Sequence, residues 1–442
     1  MNTPVYDFLI QYAERDPVRL HMPGHKGRFG APALQRAMTL DLTEITGADS
    51  LFEAEGILAE SERNAASLYG TAYTFYSCGG STLCIQTMLL LMKQQGRAVL
   101  AARNVHRAFL NTCVLLDLPV QWIYPRESDG ILSGTYDLAD FEAALQQQTR
   151  PACVYVTSPD YLGRMADIAG LAELCHRYHA KLLVDNAHGA YLHFLEKPLH
   201  PLDLGADMCC DSAHKTLPVL TGGAYLHLSG RVSDELCGEA RQALALFGST
   251  SPSYLTLCSL DRCNAYLAGA FRQELAEWTA LLDETRQTLR QNGWQAEESD
   301  PLRLTLRAPA GQTGTGLARL LRSAGMECEY ADGDHLVLML TPQNRPEELG
   351  RLVEALGRND RPPKPPENLP LPKARQEMSI REAMLRPQER VPAEKSLGRV
   401  CGSPTVACPP AIPIAVSGER IGPEAAALFR RCGVESVEVV RE

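Results

Sequence analysis

Lys181-Leu182-Leu183-Val184-Asp185-Asn186-Ala187-His188-Gly189 and Met208-Cys209-Cys210-Asp211-Ser212-Ala213-His214-Lys215-Thr216 are built alike: an apolar run, then an acid, small residues and a histidine. Runs this short, with no helical period and polar residues or Gly at their ends, read as strands buried on both faces, here Lys181–Asp185 and Asp207–Asp211. Working outward, strands are also expected at Ala98–Ala102, Ala152–Thr157 and Gly222–His227, with helical patterns at Ser81–Gln94 and Ala166–His179. This alternation, from about Ser61 to Leu228, predicts a mostly parallel sheet with helices on both faces, an α/β fold.

After Pro252 one long helical pattern runs toward Asn292, and Trp294 to Arg358 reads as strand, helix, strand pair, helix. Consecutive prolines in Arg361-Pro362-Pro363-Lys364-Pro365-Pro366 can neither continue a helix nor donate to a sheet, so this stretch reads as a linker. The division expected is 1–285 for an N-terminal segment and large domain, 286–360 for a small α+β domain, and 361–442 for the linker and a C-terminal domain. The opening residues 1–16 lack a basic-then-apolar secretory pattern and read as an amphipathic helix. The apolar run Met88–Met92 is ended by Lys93-Gln94-Gln95-Gly96, too short for a membrane span. Fourteen scattered cysteines without a C-x-x-C pair read as reduced, buried thiols, and with no export signal the expected location is the cytoplasm. A net charge of −10 argues against nucleic acid as a partner.

The chemistry starts at Lys215. A lysine at the end of a buried strand stands in the crevice where parallel α/β sheets hold ligands, with His214 and Ser212 able to meet a phosphate; alone, it also reads as a solvated surface lysine. Asp185, directly after its strand, requires a cation or donor such as a protonated pyridine nitrogen, or else is the N-cap of a following helix. Cys78-Gly79-Gly80-Ser81-Thr82 before a helix offers unpaired N–H groups to an anion, or is an ordinary capped turn. Taken together and in this order, phosphate cradle, acid and lysine resemble the fold-type-I enzymes that use pyridoxal 5'-phosphate, related to aspartate aminotransferase, with a seven-stranded sheet.

His21-Met22-Pro23-Gly24-His25-Lys26-Gly27 narrows the resemblance. The i, i+4 histidines suggest a metal pair only on a helix, which Pro23 and Gly24 preclude, so no metal is expected. The string is similar instead to the opening of the Orn/Lys/Arg decarboxylase family, in its short bacterial form. The resemblance continues through Asp41–Leu51, Gly80-Ser81-Thr82, Arg103–His106, Thr157–Tyr161, Ser212–Pro218 and Thr250–Tyr254. It extends into the tail with Gly398-Arg399, Pro409–Pro413 and Gly418–Ile421, and so covers nearly the whole chain.

The resemblance implies that Lys215 holds the cofactor as a Schiff base, that Asp185 partners the pyridine nitrogen, that His106 stacks on the ring and that His188 lies near its phenolic oxygen. Gly80, Ser81, Thr82, Ser158, Ser212 and His214 would complete cofactor binding. Thr250 and Ser251 would reach the site of a dimer mate, since the family's sites lie at a subunit interface. The implied activity is decarboxylation of arginine, lysine or ornithine to an amine and CO2, feeding polyamine metabolism. Acidic groups such as Glu53 or Glu55 would meet the substrate's distal cation. Asn186, Cys78-Gly79, Asp160 and Leu162-Gly163-Arg164 depart from the family's pattern, and none of them removes a core catalytic group. The alternatives are another reaction of the same fold, transamination or acyl condensation, and a silent cofactor-binding homologue.

Overall fold

In the computed structural model, which describes residues 1–28, 31–365, 371–404 and 410–442, seven strands form the main sheet. In chain order they are β1 (Tyr73–Ser77), β2 (Ala98–Ala102), β3 (Val120–Ile123), β4 (Ala152–Thr157), β5 (Lys181–Asp185), β6 (Met208–Asp211) and β7 (Ala224–Leu228). Their order across the sheet is β1-β7-β6-β5-β4-β2-β3. The pairs β6 with β5, β4 with β2, and β2 with β3 are parallel; β7 runs antiparallel to both β6 and β1. The mostly parallel α/β sheet expected from the alternation is present. Two of its strands were not anticipated: β1, because the hydroxyls of Thr74 and Ser77 leave Tyr73–Ser77 without an apolar run, and β3, a short Val-Gln-Trp-Ile run at the sheet edge.

The chain groups into two compact units, Met1–Gln95 with Leu182–Leu275, and Gly96–Lys181 with Ala276–Glu442. In the first, helix Gly80–Gln94 buries Leu83, Cys84, Ile85, Met88, Leu89, Leu91 and Met92, apolar nearly all round, as a helix enclosed by protein must be. It packs against helix Asp234–Phe247 and the strands beside it. The N-terminal helix Pro4–Arg15 buries only Val5 and Leu9, the amphipathic pattern its sequence predicts.

In the second unit, β8 (Gln295–Ala296), β9 (Arg303–Arg307), β10 (Tyr330–Ala331) and β11 (His335–Met339) form an antiparallel sheet in the order β8-β9-β11-β10. Helices Gly314–Ser323 and Pro346–Leu356 cover it, burying Trp294, Leu304, Leu306, Leu317, Leu321, Leu336 and Leu352. The tail pairs β12 (Gln388–Pro392) with β13 (Ser436–Val440), and its Ile412, Ile414, Phe429 and Val439 share a core with Leu132, Tyr161 and Val337. The single helix expected between Pro252 and Asn292 is two, Tyr254–Leu267 and Phe271–Gln291. The break falls at Ala268-Gly269-Ala270, where glycine is the weak helix former. The proline segment, as far as Pro365, is docked: Pro363 bridges Pro309, and the Pro362 carbonyl accepts from Ala310 N at 3.0 Å. Pro366 and Pro409 lie outside the described residues.

Candidate active site

Strands β5 and β6 run side by side, with Asp185 in register with Cys210, so their carboxyl ends deliver two loops to one place. The β5 loop carries Asp185, Asn186 and His188; the β6 loop carries Asp211 and Ser212 and then a single helical turn, Ala213–Thr216, bearing Lys215. The two meet where Lys215 Nζ and His188 Nε2 share a hydrogen bond of 2.9 Å. Asp185 is 2 % exposed; its Oδ1 accepts from Ala187 N at 3.2 Å and lies 3.7 Å from the Cys210 thiol. The chain thus brings a nucleophilic amine, an imidazole and a buried acid onto adjoining loops of the first unit.

An anion cradle adjoins them. Helix Gly80–Gln94 begins with Ser81 and Thr82 inside its first turn rather than before it, and Gly79 at its N-cap has no side chain to cap the first N–H groups. Ser212 Oγ donates to Ser81 Oγ at 2.9 Å. Gly222 and Gly223 tie the pieces together: the Gly222 carbonyl accepts from Gly80 N at 2.8 Å, and the Gly223 carbonyl accepts from His214 N and from His214 Nδ1 at 3.0 Å. Gly222 has φ +92°, and a Cβ there would stand 2.9 Å from the Cys78 carbonyl, so only glycine closes this approach. Burial lowers the His214 imidazole's pKa; the Gly223 hydrogen bond works against that, and the Lys215 charge adds to it. With Nδ1–H committed to Gly223, Nε2 of the neutral ring is an acceptor and becomes a donor to an anion only on taking up a proton. Ser251 is exposed and lines a cavity of about 350 Å³ with Cys78, Gly79, Thr82, Gln86 and Phe52; Thr250 is exposed nearby. Glu53 and Glu55 are exposed as well.

The second unit holds the remaining expected residues. His106 N-caps helix Arg107–Leu116, its Nδ1 accepting from Ala108 N at 3.1 Å, which leaves the hydrogen of the neutral ring on Nε2. Ser158 is buried, and its hydroxyl accepts from Ala166 N at 3.1 Å. The departing loop after Pro159 is fastened internally: Asp160 accepts from Leu162 N and Arg164 N, while Arg303 donates to the Asp160 and Tyr161 carbonyls. Burial pushes the Asp160 carboxyl up to about 6, against hydrogen bonds from Ser133 and Arg164 N and the charges of Arg164 and Arg303.

A family model described as "Orn/Lys/Arg decarboxylase, major domain" matches residues 3–305. The chain belongs to the Orn/Lys/Arg decarboxylase family. It is 30 % identical to an arginine decarboxylase of Bacillus subtilis, over 96 % of this chain and 92 % of that protein. The constitutive lysine decarboxylase of Escherichia coli is 23 % identical over 60 % of this chain and 40 % of its own length. In fold, the chain is similar to the Francisella novicida lysine decarboxylase LdcF, with a TM-score of 0.83 at 16 % identity, covering 99 % of this chain and 81 % of that one. As a member, the chain is an enzyme of the pyridoxal-phosphate-dependent amino-acid decarboxylases with the fold-type-I architecture. The residues present fit that cofactor: a helix N-terminus with converging hydroxyls suits its phosphate, a buried acid its ring nitrogen, and a strand-end amine its aldehyde.

Behind this family member's site lies a buried polar group that the sequence reading did not single out. Asp211, fully buried, is met by Asn186 Nδ2 at 2.7 Å, His200 Nε2 at 3.1 Å and His227 Nε2 at 3.3 Å. Asp211 stood in the quoted motif, but its histidines lie elsewhere in the chain at no motif spacing, so nothing in sequence joined them.

Proposed function

We propose that this enzyme decarboxylates a basic amino acid, arginine, lysine or ornithine, to the corresponding amine and CO2, and that the amine feeds polyamine metabolism. The observation carrying this reading is the 2.9 Å hydrogen bond between Lys215 and His188, on loops that also present the buried Asp185 and adjoin the Ser81–Ser212 cradle. When bound, pyridoxal 5'-phosphate supplies an electron sink for the bonding pair released as CO2 departs. The chain's own residues do the rest. Lys215 Nζ is the amine that would hold the cofactor at its aldehyde end. Its neighbour His188 would hold or accept a proton at Nε2, beside that amine. Asp185 would meet the cofactor's ring nitrogen as a buried acid. Gly80, Ser81, Thr82, Ser212 and His214 would bind the phosphate, and we assign His106 to the ring face and Ser158, Thr250 and Ser251 to the same cofactor by family resemblance.

We further propose a homodimer or a higher homo-oligomer built on it, with sites at the subunit interface, and the domain division 1–285, 286–360 and 361–442. A cytoplasmic location is supported by the thiol form of the thirteen cysteines among the described residues; none of the described helices is long and apolar enough to cross a membrane. The test pairs wild type with Lys215→Ala, reading visible cofactor absorbance and CO2 release from arginine, lysine and ornithine. The expected result is an absorbance band absent from the variant and CO2 from one substrate. A band with a keto acid as product would replace decarboxylation by transamination; a band with no turnover would mark a silent homologue; no band at all would overturn the cofactor assignment.

A further inference from the structure

Asn186 is the residue between the catalytic acid and the loop that carries His188, and its side chain faces away from solvent entirely. Its backbone N–H donates to the Cys210 carbonyl at 3.0 Å, and its carbonyl accepts from Gly189 N at 2.8 Å, closing the turn Asn186–Gly189. The side chain folds over that turn: a Cβ on Gly189 would fall 2.1 Å from Asn186 Oδ1. Among the described residues that Oδ1 has no hydrogen-bond partner, so the side chain is held at its amide nitrogen alone, by Asp211 Oδ1 at 2.7 Å.

Asp211 can serve as an anchor because its charge is provided for. Burial by itself would raise its carboxyl pKa, but His200 and then His227 outweigh burial and hold it below the usual carboxylate range. His227 is itself steadied from behind, its Nδ1 hydrogen-bonded to Thr74 Oγ1 at 2.8 Å on the neighbouring strand β1. A carboxylate fixed by two histidines thus reaches across from β6 to the first residue after Asp185.

We infer that Asp211 is a positioning residue for this site, fixing through Asn186 the turn that carries Asp185 and His188, and that positions 186 and 211 form a matched pair in which one side chain is the acid and the other the amide. Two carboxylates at this separation in a buried place cannot both ionise, whereas exchanging acid and amide keeps one charge and one donor. This rests on the cofactor reading above. Asp211 is met by Asn186, His200 and His227, and it acts on the site through Asn186.

The test titrates cofactor-free protein with pyridoxal 5'-phosphate and records its melting temperature before loading. A hydrogen bond to a charged group is worth about ten- to a hundredfold in an equilibrium constant, so Asn186→Asp is expected to weaken cofactor binding by at least about tenfold. The double variant Asn186→Asp/Asp211→Asn should return binding to within about threefold of wild type, a rescue that loss of a merely structural contact would not give. Should Asn186→Asp not fold, Asn186→Ser takes its place, with about tenfold weaker binding expected in cofactor-free protein that is still folded at the assay temperature, though with a lowered melting temperature. Wild-type affinity in the single variant, or a folded double variant that binds no better than the single one, overturns the inference. Failure of wild type itself to bind the cofactor would overturn the cofactor reading instead, so the two failures are distinguishable.

Discussion

His335 is a buried histidine flanked by two carboxylates. Its Nε2 lies 3.2 Å from Asp129 Oδ2 and its Nδ1 3.6 Å from Asp332 Oδ1, while Arg307 reaches the same Asp129 and, at 2.6 Å, Glu297. Burial alone would lower the imidazole's pKa; hydrogen bonding to Asp129 and Asp332, with their charges, outweighs it and raises it to about 9. A folded-state value above the unfolded value near 6.5 means the stabilisation is complete below that value and is lost as pH rises through about 9. The contribution is on the order of 3 kcal/mol, so urea unfolding should show wild-type stability declining between about pH 6.5 and 9, with the slope flattened in His335→Gln. An equal slope in the variant would assign the decline elsewhere. At this scale Lys215, Asp185 and His188 were legible because each follows an apolar run with a characteristic neighbour. His335, His200 and His227 were not, since a lone histidine, in a strand or in a loop, reads the same whether or not an acid faces it.

Between elements, the least expected link joins the C-terminal tail to the end of β2. Arg103, fully buried, pairs with Glu419 at 3.3 Å and donates to the Pro413 and Ile414 carbonyls, each at 3.1 Å. Its guanidinium lies over Trp122, and Glu419 in turn accepts from Val416 N at 2.7 Å. Four residues on, Arg107 N donates to the Ala411 carbonyl, so the tail clasps both sides of His106. Removing one partner of such a pair leaves a buried charge uncompensated, and Glu419→Ala should cost about 3–5 kcal/mol in denaturant unfolding. Pairing it with Arg103→Met should restore much of that loss, because the penalty lies in the orphaned guanidinium. A cost below about 1 kcal/mol for the single variant would mean that Arg103 finds another partner. The strands were readable wherever apolar runs were uninterrupted, as in β2, β4 and β5. The tail's role was not, because Pro410-Ala411-Ile412-Pro413 signals irregular backbone and says nothing of where its carbonyls dock.

For the molecule as a whole, reading along the chain divides it at linkers, whereas its compact units interleave distant segments, residues 1–95 with 182–275 and 96–181 with 276–442. Such grouping depends on strand order, which periodicity does not encode. Surface composition carries the remaining argument. Val18, Leu20 and Met22 are 84, 91 and 66 % exposed, alternating in a stretch without helix or strand just before the His25-Lys26 turn. These closely spaced side chains form a strip of exposed apolar surface along the chain, and each apolar side chain fully buried is worth about 1.5–3 kcal/mol. That strip, with the exposed Thr250 and Ser251, supports the proposed pairing of two copies of this chain. Sedimentation at micromolar concentration should therefore give a dimer. Leu20→Ser with Met22→Ser should weaken self-association by at least about tenfold, with little effect on the cofactor-free melting temperature, since neither side chain is packed in its own subunit. Because the proposed sites lie at the interface, turnover per chain should fall on dilution in parallel with dissociation, and at higher protein concentration in the double variant than in wild type. A wild-type monomer with full, dilution-independent turnover would show that one chain completes the site alone, and Thr250 and Ser251 would then serve their own subunit through the cavity beside Thr82.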